Sequence, residues 1–163
     1  MRGRKPIEVF PFEPSFADEL VLMWRASFEQ GVGVVDPHPI AEQREYLMTQ
    51  VLPANEVRVA LHGQRIVGFA AASLDTLARL YMHSEYQGCG IGTRLLDWAK
   101  GQSDGKLLLF TFARNHRARA FYRARGFVEV SQGFEPNWKL DDVKFEWSAA
   151  GGVGSAESAQ KAI

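Results

Sequence analysis

The chain has one cysteine, Cys89, in 163 residues. No disulfide can form within it. Its four histidines are scattered, with no His/Cys group at metal-ligand spacing, so no metal is expected. Long apolar runs are missing too. Nothing approaches the roughly 18 residues of a membrane span, and no membrane partner is expected. The opening Met1-Arg2-Gly3-Arg4-Lys5-Pro6 is not followed by the apolar stretch of a secretory leader. A cytoplasmic setting is the expectation that fits. An excess of charge is absent as well: Lys and Arg number 19, Asp and Glu 19. No whole-surface field draws nucleic acid, and no nucleic-acid partner is expected. A polyanionic ligand therefore has to be held by local donors. What remains is an ordinary globular composition, at a length that suits one domain with a real core.

Glycine is not scarce, and three glycines fall together in Gln87-Gly88-Cys89-Gly90-Ile91-Gly92-Thr93. Before them, Leu77 to His83 reads as a strand. After them, Ile91, Leu95 and Ala99 recur every four residues, with Leu96 and Trp98 beside them, which is a helical period. Strand, glycine bend and helix in series make a seat for an anion. Glycine lets the backbone approach a ligand closely, and successive N–H groups point inward. The helix start adds unpaired donors and the positive end of its dipole. A phosphate is the natural occupant. Two common phosphate loops do not fit. A P-loop needs a lysine after its last glycine, and here Thr93 and Arg94 follow Gly92. The dinucleotide fingerprint puts its third glycine one place later and an acid about twenty residues on, where Leu108 stands.

A second stretch is Asn115-His116-Arg117-Ala118-Arg119-Ala120-Phe121-Tyr122. Asn115, Ala118 and Tyr122, at i, i+3 and i+7, share one helix face. Asn115 stands at an N-cap position. Read alone, Asn115 is a helix cap and Tyr122 a core aromatic with its hydroxyl at the rim. Read together, Gln87-x-x-Gly90-x-Gly92 and the series Asn115, Ala120, Phe121-Tyr122 and Gly126-Phe127 resemble the GNAT N-acetyltransferase family. The resemblance is strong from Val57 to Phe127 and weaker to Trp147.

That resemblance implies an N-acetyltransferase that uses acetyl-coenzyme A as co-substrate and acts on a small-molecule or peptide amine acceptor. It implies that Gln87, Gly88, Cys89, Gly90, Ile91, Gly92 and Thr93 hold the pyrophosphate. Cys89 stands where the family often has Arg or Lys, and Arg94, one turn in, is the compensating cation. Asn115 and Ala118 would flank the pantetheine arm. Backbone N–H groups around Leu80, Tyr81 and Met82, on a strand expected to bulge there, would meet the oxyanion. Tyr122 would protonate the departing thiolate. One departure concerns the base. Many members carry a Glu on the strand before the glycine bend, where this chain has Thr76 and Ala78. Asp75, Glu85, His83 and Glu29 are the other candidates, and the sequence does not choose among them. A binder of acyl-coenzyme A without catalysis, an enzyme for a longer acyl group, and an interaction module all stay open.

The fold class expected is α/β and GNAT-like. It is a mixed, mostly antiparallel sheet of about six to seven strands, with a splayed central parallel pair and helices on both faces. Strands are read at Ile7–Phe10, Val57–Leu61, Ile66–Ser73, Leu77–His83, Lys106–Phe112, Phe127–Val130 and Val143–Trp147. Helices are read from Pro14 to Phe28, from Ile40 to Gln50 with a stop at Pro53, from Ile91 to a C-cap at Gly101, and from Asn115 to Arg125. One domain, 1–148, is expected, followed by a loose Gly/Ala/Ser-rich tail over 149–163. Trp24, Phe28 and the Gly31-to-Pro39 loop would shape the acceptor site. His38, between two prolines, reads as loop surface. Arg114, Arg117, Arg119, Arg123 and Arg125 form a basic, mostly solvated helix with one member in reach of the coenzyme's 3′-phosphate. A homodimer is compatible with the sequence, which leaves the oligomeric state open.

Overall fold

Alternating apolar stretches pair as antiparallel strands, some with the next strand in sequence and some across intervening helices. In the computed structural model, which describes residues 5–150, β1 (Ile7–Pro11), β2 (Glu56–His62), β3 (Arg65–Ala72) and β4 (Leu77–Met82) form an antiparallel sheet in chain order. A second sheet has the order β5 (Lys106–Phe112), β7 (Leu140–Ser148), β6 (Val128–Glu135), again antiparallel. Seven strands result. β7 lies between β5 and β6, and each of its edges is paired. The basic end over 1–4 and most of the expected tail, 151–163, lie outside the described residues. Ala149, read with that tail, is held by its N–H to the Gly105 carbonyl at 2.8 Å.

The two sheets meet at one rung. Thr76 and Leu108 form an isolated parallel bridge, and the Leu108 N–H donates to the Asp75 carbonyl at 2.9 Å. Beyond that rung no ladder joins β4 to β5, so the central parallel pair is splayed as expected.

Helices cover both faces. α1 (Ala17–Val32) buries Leu20, Trp24 and Phe28 at the four-residue spacing seen in the sequence. It runs past Phe28 to a left-handed Gly33, which closes its end with a 2.8 Å bond to the Glu29 carbonyl. α2 (Ile40–Tyr46) does not stop short of Pro53. A π turn over Leu47–Val51 carries it into α3 (Leu52–Ala54), where Pro53 sits in a first turn and needs no N–H partner. On the other face lie α4 (Ile91–Gln102) and α5 (His116–Ala124). Gly101 is inside α4 rather than its cap; the helix ends at Ser103, whose hydroxyl donates to the Lys100 carbonyl at 2.6 Å.

β4 is the element on which the two faces meet, and its register carries a correction. The bulge expected around Leu80 to Met82 lies earlier: Leu77 pairs with Ala72 and Arg79 with Ala71, so Ala78 is the extra residue. A bulge re-aims the side chains that follow it. Leu77 packs on the α4 side. Plain alternation would put Arg79 there too, but the extra residue turns Arg79 and Tyr81 toward α1 and leaves Leu80 and Met82 toward α4.

Candidate active site

The glycine bend lies open. Gly88 and Gly90 both have φ of +81°, and nothing lies within 4 Å of where a Cβ would stand on either. Gly90 is the N-cap of α4, in the left-handed region that glycine enters without strain. No side chain caps the helix, so the first-turn N–H groups have no intrahelical partner and no side-chain acceptor. The N–H of Cys89 is used inside the bend, donating to the Tyr86 carbonyl at 3.2 Å. Gly92 differs from its neighbours. A Cβ there would come within 2.8 Å of Met82 Cε and 3.1 Å of the Phe121 ring, so this glycine seats α4 against β4 and α5. Thr93 accepts from Arg125 Nε at 3.0 Å, and the Arg125 guanidinium lies 3.7 Å from the Phe121 ring centroid. Of the five basic residues around α5, Arg125 therefore stands at the start of α4. Arg119 and Arg123 are spent on Glu129, at 3.0 and 2.7 Å. Arg94, expected to compensate for Cys89, donates to the Ile7 carbonyl.

Behind the bend, the splay leaves one edge of β4 unpaired. The His83 N–H donates to the Val67 carbonyl at 2.8 Å, toward β3. By alternation the Tyr81 N–H points the same way, and those of Leu80 and Met82 point toward the gap. Tyr122 approaches from α5, packed edge-on to Phe121 and Phe127 with centroids 5.4 and 5.5 Å away. Burial pushes its hydroxyl pKa up strongly, and the neighbouring Tyr81 adds to this. Burial also raises Tyr81, against the opposing charge of Arg79 and a hydrogen bond with Trp24. Both phenols thus keep their protons at neutral pH. Asn115 Oδ1 accepts from the Ala118 N–H at 3.2 Å, which is the plain cap. A Cβ on Gly31 would come within 3.0 Å of Asn115 Nδ2, so the amide packs against the last turn of α1.

On the α1 face of β4 is a cavity of about 350 Å³. Trp24 and Phe28 of α1, Tyr46 of α2 and Trp138 of the β6–β7 turn supply its aromatic walls. Its polar groups include Asp36, His38, Glu42 and Arg79. Asp36 is nearly buried and accepts from His38 Nδ1 at 2.7 Å, while Arg25 lies 3.5 Å from its other oxygen. The carboxylate only accepts, so Nδ1 is the donor of this bond, and Nε2 is the ring nitrogen left free of it. The His38 ring stands edge-on to Trp138, 5.7 Å between centroids. Among the described residues, no three His, Cys, Asp or Glu side chains gather as a metal site, and no helix is long and apolar enough to cross a membrane.

Residues 53–129 match the model of the acetyltransferase (GNAT) domain. That match places this segment in the GNAT acetyltransferase family. Solved structures agree on the fold. An acetyltransferase from Thermus thermophilus is 22% identical with a TM-score of 0.72, over 89% of this chain and 98% of its own. The apo form of YjaB from Escherichia coli is 21% identical with a TM-score of 0.71, over 87% of this chain and 97% of its own. PaiA N-acetyltransferase from Thermoplasma acidophilum, solved with coenzyme A, is 19% identical with a TM-score of 0.71, over 88% of this chain and 99% of its own. A search of curated proteins finds no match.

The GNAT segment contains the glycine bend, β4 and Tyr122, but most of the cavity wall lies outside it: Trp24, Phe28, Asp36, His38, Tyr46 and Trp138 fall before residue 53 or after 129. Of the groups proposed from sequence as a base, none lines the cavity. Asp75 accepts from the Ser73 and Thr76 hydroxyls, Glu29 accepts from the Asp36 N–H, and Glu85 pairs with Arg65. His83 braces the short turn before the bend by accepting from the Glu85 N–H at 3.1 Å. Sequence reasoning placed His38 and Asp36 only within the loop expected to shape the acceptor site, and it did not name Arg79. Asp36-Pro37-His38 holds a signal for the first two, since an Asp two residues before a His often bonds locally. Arg79 had no such signal, because its face depends on the bulge.

Proposed function

We propose that this chain transfers an acetyl group from acetyl-coenzyme A to a primary amine held in the cavity on the α1 face. The observation that carries this is the open left-handed bend at Gly88 and Gly90, with the uncapped start of α4 behind it and the unpaired edge of β4 alongside. Gln87 through Thr93 would hold the pyrophosphate on backbone N–H groups, with Arg125 as the nearby cation in place of the expected Arg94. Ala118, on the α5 face that carries Tyr122, leaves room beside the pantetheine arm. When bound, the coenzyme supplies the activated thioester.

The chain's own groups divide the rest of the work. Leu80 and Met82 present N–H groups to the gap, positioned to polarise a carbonyl; one such donor is worth about 3–4 kcal/mol. Tyr122 holds its proton through neutral pH and is the donor for a leaving thiolate. Tyr81 is its neighbour across the gap. Within the cavity, His38 Nε2 accepts the proton of an incoming ammonium, and Asp36 fixes the tautomer that makes this possible. This reading supplies a base where the strand before the bend has none.

Calorimetric titration with acetyl-coenzyme A tests the first half, and a free-thiol assay with a panel of amines tests the second. Saturable heat and amine-dependent thiol release are expected. Absence of heat with a folded protein refutes the assignment.

A further inference from the structure

Arg79 is buried without an anion. Its exposure is 5%, and no carboxylate among the described residues forms an ion pair with it. Nη1 donates to its neighbour's carbonyl, Ala78, at 2.6 Å, and Nη2 donates to the Tyr46 hydroxyl at 3.2 Å. Nε has no partner among the described residues. The guanidinium is clasped between Trp24 and Tyr46, 5.5 and 5.7 Å from the ring centroids. Aromatic faces and two neutral oxygens orient it, yet leave donors and a full charge unanswered. Burying a charge is costly unless it is paired. A bulge in β4 turns this one into the cavity rather than away from it.

From this we infer that the acceptor carries a carboxylate which Arg79 receives, and that it is a free amino acid or similarly short amino carboxylic acid. The inference rests on the acetyl-transfer reading and sharpens it. Three observations narrow the ligand. The cavity, at about 350 Å³, is at the small end for ligand sites and suits a compact molecule. Glu42 also lines it, so a phosphate dianion is disfavoured while a single carboxylate beside an ammonium is complemented at both ends. Arg79 immediately precedes Leu80, whose N–H faces the gap, so the carboxylate seat lies on the strand beside the proposed thioester site, as a short amino acid requires. A planar fork suits a carboxylate better than a spherical anion.

The test uses the full chain. The L-α-amino acids, β-alanine and γ-aminobutyrate are each compared with their carboxamides in thiol release at fixed acetyl-coenzyme A, and each is titrated calorimetrically without coenzyme. At least one acid is expected to exceed its amide by about 100-fold or more in kcat/KM, carried mainly in KM. Arg79→Gln should bring that ratio near one while keeping heat with acetyl-coenzyme A. Should that variant not fold, the acid-to-amide ratio of the native chain still decides. Equal rates for acid and amide, a preference that survives in Arg79→Gln, or no binding and no turnover across the panel would each overturn the inference. A peptide bearing an N-terminal acidic residue that outperforms every free acid would overturn it too. Heat with acetyl-coenzyme A in those cases leaves the transferase reading standing; its absence removes that reading separately.

Discussion

Two glycines in one helical region should respond in opposite directions. Gly90 begins α4 with φ of +81° and has no atom within 4 Å of a prospective Cβ. Gly101 is exposed near the other end of α4, also without a neighbour within 4 Å, and is ordinary helix. The Cβ of Gly90→Val would meet nothing in the protein, so its main stability cost is left-handed strain, about 1–2 kcal/mol. For a chain of this size that lowers Tm by about 2–8 °C. Its effect on acetyl-coenzyme A should be far larger, because the new side chain would stand where backbone donors meet phosphate. Losing two charge-assisted hydrogen bonds, about 1.5–3 kcal/mol each, weakens affinity by about 10²–10⁴-fold. Gly101→Ala should instead gain about 0.5–1 kcal/mol and leave affinity alone. Scanning calorimetry gives the stabilities and titration calorimetry the affinities. A Gly90→Val protein that is less stable yet binds within threefold of the native chain would refute the anion seat and leave only a turn.

Further expectations concern the chemistry and the packing around it. Tyr122→Phe removes a hydroxyl and keeps a ring packed on Phe121 and Phe127; kcat should fall by about 10²-fold or more with coenzyme affinity unchanged, and an unaltered kcat in single-turnover assays would exclude the tyrosine as donor. His38→Ala should lower kcat/KM by about 10²-fold without changing the heat of coenzyme binding, and wild-type rates at neutral pH would remove the imidazole from the mechanism. Glu129 is pushed up by partial burial but held below the ordinary carboxylate range by hydrogen bonds from Arg119, Gln132 and Arg123. A depressed carboxyl stabilises the fold above its unfolded value and loses that effect as pH falls through its folded one. Glu129→Gln should therefore cost stability at pH 7 and converge on the native chain as pH falls through that depressed value, as a series of urea melts at falling pH would show.

What could be read from the residues was whatever depends on short-range pattern. The series from Leu77 through the three glycines to Ala99 states strand, bend and helix by period and backbone freedom, and the structure places them so. In the Lys106–Phe112 strand, Leu107 and Leu109 pack in the cluster with Leu96 and Tyr122, while Phe112 packs against Phe28 of α1. The features not legible are those set by registers and by distant neighbours. Pro53 looked like a stop, but a π turn absorbs it. Val143 to Trp147 reads as a strand, but only the pairing across both of its edges reveals that it lies between two others. One unmatched residue, Ala78, decides whether Arg79 faces α4 or the cavity, and no periodicity records it. His38 read as loop surface and is exposed there; what the residues did not show is the side chain of Asp36 folded back on its ring.

The single rung at Thr76 and Leu108 gives each sheet a frayed border inside the molecule instead of at its rim. Borders at the rim invite other chains to add strands, and proteins guard them with lysines, prolines or bulges. The border of β4 lies under α1 on one side and α4 on the other, so it is guarded by its roof. It can keep its main-chain groups available to a slender guest while refusing a whole polypeptide.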